Sequence, residues 1–555
     1  MDGLPPVVIG SRFGTACVRF VEAAMSVPRW TPSSEITKRE AFLLKRLART
    51  KKLYRFLREH RLELFDDAFQ DELAGMYRDT GEGKEPVPPA QLAMALLLQA
   101  YAGSSDAEAI ENTLVDLRWR MVLGILGSHE EQPPFSQGTL QRFRERLIAH
   151  DMDRRLLERT VELAKKTRGF DFKKLPKTVR LAVDSRPLTG AGRVEDTFNL
   201  LGHAARKLLE CAAAIADREP AELADAVGAP ALGASSVKRG LDIDWNDPEQ
   251  KADAIKILVE QIERLETWVR DKLGTDAQQP PLSEQLATLA QLRAQDLEPD
   301  PEGCGPRIRH GVAEDRRVSV EDPEMRHGRK SKSHAFNGYK SHLAGDLDTG
   351  LILAAAITPA NKHEAEALPA ILEDLGRYRE RNEVGELNID RGYLASAHVQ
   401  TLATQKVPII AKPWRPRTGG LFAKSDFKLD LGRLTITCPA GHKEKIRLGT
   451  IAKFPAETCD PCSMRARCTH GARGRGRSVS IAEDERLQKK LRSAIATPSG
   501  RAQLRERVAI EHRLAHHARK QGTRARYVGV RKNVFDARRH AANLNLEQLQ
   551  LAEAA

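Results

Sequence analysis

The chain has 555 residues, with 89 Lys and Arg against 76 Asp and Glu, a formal net charge of +13. Apolar residues make up 41% and charged residues 30%, which is enough for large cores under a solvated surface and excludes collagen-like, mucin-like and wholly disordered chains. At roughly 150 residues per domain the length corresponds to three or four domains. The excess positive charge points to a polyanionic partner, most often nucleic acid, while aromatics at 5% argue against holding single strands mainly by base stacking. Seven cysteines are too few for a disulfide scaffold. The longest apolar run, from Ala93, falls far short of the roughly 18 residues that span a bilayer. Asp2, Arg12 and Arg19 interrupt the first apolar residues, unlike a secretory signal. A soluble, cytoplasmic protein without a membrane partner is expected.

In chain order, residues 1–35 show no period and are expected to be poorly ordered. Residues 36–170 read as an all-α domain. Pro88 and Pro89 precede QLAMALLLQAY, Ser105 with Glu108 forms a capping-box pattern, and Ser136 heads a helix displaying Arg142, Arg144 and Arg146. Two helices and a turn before a basic helix suggest a helix-turn-helix that binds DNA ends, with a plain helical bundle as the alternative. In KTVRLAVDSRP, Val179, Leu181 and Val183 alternate in a strand ending at Asp184. Residues 198–330 read as a helical insertion, in which Ile255, Leu258, Ile262, Leu265 and Val269 form a packing stripe.

A second strand-rich block follows. AFNGYKSHLA and LILAAAITPA flank Asp348-Thr349-Gly350 as a hairpin, a helix covers about 363–380, ELNID is a strand ending at Asp390, and VPIIAK is another. Residues 413–477 are a basic, Cys-rich segment, and 486–521 read as one long charged helix. The expected fold is an α/β core, a mixed sheet with helices built from 171–197, 331–412 and 478–550. To it are added the all-α N-terminal domain, the helical insertion and a small Cys-rich loop domain.

Asp184 and Asp390 end strands and Glu511 lies on a helix, so the three can converge. Converging carboxylates suit Mg²⁺, a hard ion that prefers oxygen ligands and keeps waters for its substrate. Two such ions roughly 3.5–4 Å apart activate the attacking oxygen and stabilise the leaving oxygen of a phosphodiester. Singly, each acid is equally readable as a turn residue, a cap or an ion-pair partner, Glu511 pairing with Arg507 at i−4.

From about residue 37 to 550 the chain resembles the DDE transposases of bacterial insertion sequences, of the group containing the IS-eleven-eighty-two type. The resemblance lies in PPAQLAMALLLQAYAGSSDAEAIENTLVDLRWRMVLGI, FSQGTLQRFRERL, AVDSRPLTGAGRVEDTFNLL, FNGYKSHLAGDLDTGLILAAAITPANKHEAEALP, IDRGYLAS, RERVAIEH and RARYVGVRKNVFDARRHAANLN. It implies a ribonuclease H-like catalytic core, with Asp184, Asp390 and Glu511 as catalytic residues holding Mg²⁺ or Mn²⁺. It further implies cleavage and strand transfer of double-stranded DNA at the ends of the element. Lys340, Arg391, Tyr393, Arg507, Arg519, Lys520, Arg526 and Lys532 join Arg142, Arg144 and Arg146 as expected DNA contacts. Synapsis of two ends implies a homodimer or larger assembly. Leu504 and Ala518 stand where some relatives have Tyr and Lys, and Arg519 and Lys520 are the neighbouring substitutes. A nuclease of the same fold that cuts without joining, and a catalytically silent DNA-binding derivative, are the rival readings.

Cys438, Cys459, Cys462 and Cys468 have a spacing compatible with structural Zn²⁺, with His442 or His470 able to replace one sulfur. Reduced thiols in a loop are the plain alternative. Positive charge is concentrated in residues 326–340, 411–425, 465–477 and 501–540, beside the carboxylate blocks and in the cysteine loop. There it is expected to contact phosphates.

Overall fold

The computed structural model describes residues 27–47, 52–77, 85–129, 131–170, 172–301, 303, 305–331, 333–379, 381–415 and 419–554. Most of the segment expected to be poorly ordered, 1–26, lies outside these residues, as do Cys304, Lys332 and Arg417. Within the rest of that segment Trp30 is an anchor: it is buried, its indole N–H donates to the Leu123 carbonyl (3.2 Å), and its backbone N–H donates to Gln70 Oε1 (2.7 Å).

Eight helices come first: α1 (Lys38–Leu47), α2 (Lys52–Leu64), α3 (Asp67–Ala74), α4 (Pro89–Ala102), α5 (Asp106–Val115), α6 (Leu117–Leu123), α7 (Gln137–Ala149) and α8 (Met152–Lys166). The Ser105–Glu108 capping box opens α5 and the Ser136 hydroxyl caps α7. A helix as uniformly apolar as α4 is stable only where neighbours enclose it, and all of its residues from Pro89 to Ala100 are buried. The arrangement is a bundle. Residues 124–136 separate α6 from the basic α7, too many for the three- or four-residue turn of a helix-turn-helix.

β1 (Val179–Thr189) is the centre of a six-stranded mixed sheet. Its alternation predicts a strand ending at Asp184, but the strand continues to Thr189, because its antiparallel partner runs on to pair Gly338 with Thr189. The helical insertion follows, with α9 (Thr197–Ile215), the helices Pro248–Leu273 and Leu282–Asp296, and a ribbon of β2 (Leu297–Pro299) with β3 (Pro306–Ile308). The Ile255-to-Val269 stripe is buried in a core of its own. Then come β4 (Arg326–Arg329), β5 (Ala335–Asp346), β6 (Ile352–Pro359), β7 (Val384–Ile389) and β8 (Ile409–Ile410). The order is β4-β5-β1-β7-β8, with β6 on the same edge of β5 as β4. β5 is antiparallel to β1, β4 and β6, whereas β7 and β8 run parallel to β1.

The Cys-rich segment forms small ribbons around a separate apolar cluster of Phe427, Ile436, Phe454 and Ile481. The single charged helix expected over 486–521 is instead three: Glu485–Ala496, Pro498–Glu506 and Val508–Gln521. Pro498 disfavours helical geometry at Thr497, which turns outward and caps the next helix through its hydroxyl.

The last helix, Val530–Glu553, binds the N-terminal bundle to the sheet, packing against β6, α8, α4 and α2. Residues 36–170, expected to form a domain of their own, therefore share one continuous hydrophobic core with the sheet. The helix buries polar groups because each meets a partner. Asn545 accepts from Ile352 N (2.8 Å) and donates to Ile352 O (2.8 Å), satisfying the edge of β6 as a neighbouring strand would. Asn543 donates to the Leu97 carbonyl (2.9 Å), and Arg538 pairs with Asp153 and Asp374.

Asp106 is a second tie between the two ends of the chain. Its carboxylate accepts from Arg144 (2.9 and 2.8 Å), Gln99 (2.7 Å) and Arg526 (3.3 Å). Burial alone would raise its pKa, but hydrogen bonds from Arg144 and Gln99 pull it down to about 2. A carboxyl depressed below its unfolded value of about 3.9 stabilises the fold above that pH and loses the contribution as pH falls towards 2. Asp106→Ala is expected to cost about 2–3 kcal/mol in urea unfolding at neutral pH. Asp106→Asn should lose less stability than wild type between pH 4 and pH 2, and an unchanged acid transition would refute this role.

Candidate active site

β1 and β7 pair in parallel as far as Val183 with Ile389, so the next residues, Asp184 and Asp390, leave the ladder side by side. The Asp184 side chain is largely buried (14% exposed), while β7 ends at Ile389 and leaves Asp390 half exposed. Glu511 comes from the first turn of the helix Val508–Gln521, which packs on β1 and β5. The three acids meet at one cation. The Arg507 guanidinium lies 3.5 Å from Asp184 Oδ2, 3.0 Å from Asp390 Oδ1 and 2.7 Å from Glu511 Oε1. Arg507 occupies the break between two helices, one turn before Glu511, which lets it reach all three.

Burial pushes the Asp184 carboxyl up to about 6; the Ser185 amide and Arg507 oppose this, and Asp390 and Glu511 add to it. The Ser185 backbone N–H donates to Asp184 Oδ1 (2.8 Å). Beneath lies a buried polar chain in which the Tyr393 hydroxyl is 2.7 Å from His342 Nδ1 and His342 Nε2 is 2.9 Å from Thr358 Oγ1. Burial lowers the His342 pKa to about 3, so the ring is neutral.

The triad opens into a cleft that Arg329, Lys330, Lys340 and Glu364 also line. Arg329 and Lys330 lie at the tip of the β4–β5 hairpin and are exposed. The basic run over 326–340 signals them in the sequence, whereas Glu364, in HEAEALP, has no spacing that ties it to the three acids.

Several expected DNA contacts are engaged inside the protein. Arg144 is buried against Asp106, and Arg526 donates to the Ser104 carbonyl (2.8 Å) and to Asp106. Tyr393 is fully buried. Lys520 pairs with Glu547 (2.7 Å), Arg146 lies over the Tyr77 ring, and Arg391 donates to the Pro413 carbonyl (2.7 Å). Arg144 and Tyr393 are buried, whereas Arg146, Arg391, Lys520 and Arg526 are part-exposed but already hold partners within the protein. Lys340 donates to the Lys362 carbonyl at the cleft edge, and Arg142, Arg519 and Lys532 are exposed.

Cys438, Cys459, Cys462 and Cys468 line one small cavity with His442, and Cys459 Sγ accepts from Arg477 N (3.5 Å). His470 is not among its lining residues. Among the described residues, no three His, Cys, Asp or Glu side chains are grouped to hold a metal ion. The expected zinc cluster is therefore not formed in this arrangement, and the centre of the acidic triad is taken by Arg507. Among the described residues no helix is long and apolar enough to cross a membrane.

Two family profiles match the chain. One, described as a transposase DDE domain, covers residues 436–550, and one described as a transposase domain (DUF772) covers residues 46–146. The first contains Glu511 and the four clustered cysteines, while Asp184 and Asp390 lie outside it. No curated protein and no solved structure matches.

An acid whose folded pKa is raised to about 6 stabilises the fold while protonated, fully below about pH 4, and loses that contribution as pH rises through about 6. In chelator at pH 7, Asp184→Asn is expected to melt above wild type, an advantage that shrinks at pH 4. Arg507→Gln should melt below wild type, since it leaves three carboxylates uncompensated. Equal melting temperatures for all three proteins would show that the charges do not interact.

Proposed function

We propose that this chain, identified by its two matched domains as a DDE transposase of insertion sequences, cuts DNA at the ends of its element and joins the freed end to target DNA. The observation that carries the reading is the convergence of Asp184, Asp390 and Glu511 on one cation. The antiparallel β6-β5-β1 arrangement, with β7 and β8 added in parallel on the other side, supports a ribonuclease H-like core with Asp184 within β1 and Asp390 just past the end of β7.

The guanidinium among three carboxylates acts as a stand-in cation, and an all-oxygen donor set suits Mg²⁺ or Mn²⁺. When bound, such ions supply Lewis-acid activation of an attacking oxygen and stabilisation of the leaving oxygen at phosphorus. Asp184, Asp390 and Glu511 would hold them. Strand pairing up to Val183 and Ile389 brings the two aspartates to neighbouring positions. Arg507, beside the three acids, would be a cation for the scissile phosphate. Arg329, Lys330 and Lys340 along the cleft would neutralise neighbouring phosphates of double-stranded DNA, with Arg142, Arg519 and Lys532 as outlying contacts. Two ends held together require at least two copies. In the cysteine lobe, Cys438, Cys459, Cys462 and Cys468 line one cavity and would be the residues to hold a structural zinc.

Asp390→Asn is expected to abolish Mg²⁺-dependent cleavage of end-bearing DNA while retaining binding; full cleavage by this variant would sink the assignment. A pre-cleaved end should be joined to target DNA by wild type. Cleavage without joining would instead indicate a nuclease. Arg329→Ala with Lys330→Ala should reduce the slope of log affinity against log salt by about 2. Freshly purified, reduced protein should contain one zinc, lost on Cys459→Ser with Cys462→Ser.

A further inference from the structure

Glu364 lies outside the acidic triad yet touches β1 beside Asp184 and the turn that follows Asp390. It follows β6 at the start of a short 3-10 turn, Glu364–Ala367, and reaches into the same cleft. Its Oε1 accepts from the Ser185 hydroxyl (2.7 Å), and Ser185 is the residue whose backbone N–H is aimed at Asp184. Its Oε2 rests against Gly392, two residues beyond Asp390. A methyl group built on Gly392 would lie 1.8 Å from that oxygen and 2.9 Å from the carboxyl carbon.

We propose that Glu364 is a positioning residue of this site, its carboxylate joining the Asp184 and Asp390 segments through Ser185 and Gly392. The inference rests on the reading of the triad given above. β1 and β7 part immediately after Val183 and Ile389, so no ladder hydrogen bond fixes the two aspartates relative to each other beyond that point. Glu364 supplies the missing brace on the cleft side, and it adds a negative charge that favours a cation in the cleft. Gly392 is required there because the carboxylate occupies the volume of a side chain. Its backbone is not in the left-handed region, so alanine is conformationally tolerated. The cheap relief of the clash is for the flexible Glu364 carboxylate to swing away.

Gly392→Ala should therefore act by displacing Glu364, and the two positions form a mutant cycle. Full-length Glu364→Ala and Gly392→Ala are each expected to bind Mn²⁺ in the absence of DNA about tenfold more weakly and to cut end-bearing DNA about tenfold more slowly. The double variant should be no worse than Glu364→Ala alone. Glu364→Gln keeps an oxygen that can accept from Ser185 and should recover part of the loss. Melting temperatures within a few degrees of wild type would exclude general unfolding. Unchanged Mn²⁺ affinity in Glu364→Ala, or losses that multiply in the double variant, would overturn the proposal. Normal cutting by Asp390→Asn, measured alongside, would overturn the reading of the triad itself, and so separates the two failures.

Discussion

Three carboxylates in one cleft repel one another, and the fold around them depends on how that repulsion is met. Two are delivered by neighbouring strands, since the β1–β7 ladder ends just before Asp184 and Asp390. The third arrives on a helix, with its counter-ion four residues earlier on the same chain. Arg507 neutralises part of the excess and is largely buried in doing so. The remaining strain is visible in Asp184, whose carboxyl is pushed up by burial first and by its acidic neighbours after that. A site held this way is short of positive charge, which is the condition for taking up a hard divalent cation.

The rest of the chain keeps those strand ends and that helix in place. The helix Val530–Glu553 packs the N-terminal bundle onto the sheet, and its asparagines and arginines are spent on backbone edges and buried acids. The positive charge thus divides into two populations. Arg144, Arg526, Arg538 and Arg539 sit in internal pairs, whereas Arg329 and Lys330 face the cleft. The second population, with the exposed Arg142, Arg519 and Lys532, is open to a polyanion as the protein stands. The helical insertion and the cysteine lobe each carry a separate core, so they add surface without disturbing the sheet.

Much of the architecture was legible in local patterns. The β1 strand, the hairpin of β5 and β6, the capped helices α5 and α7, and the insertion stripe all appear where apolar runs, turn residues and capping residues place them, because those are local signals. The helix expected over 486–521 divides because Pro498 and Arg507 interrupt it, and β1 outruns Asp184 because its partner strand continues. Those are effects of one residue or of a neighbour, and a hydrophobic period does not register them.

By itself the sequence determined the candidate acids, the resemblance that orders them, the cysteine group, and the concentration of basic residues in the second half of the chain. These are matters of residue type and spacing, which survive without coordinates. The tertiary structure alone decided which charges remain free. It turned Arg144, Arg526 and Tyr393 inward, set Arg507 among the acids, brought Glu364 between Ser185 and Gly392, and merged the N-terminal helices with the sheet. The physical reason is that an ion pair or a close approach depends on distance in space, and residues separated along the sequence acquire that distance only when the chain folds.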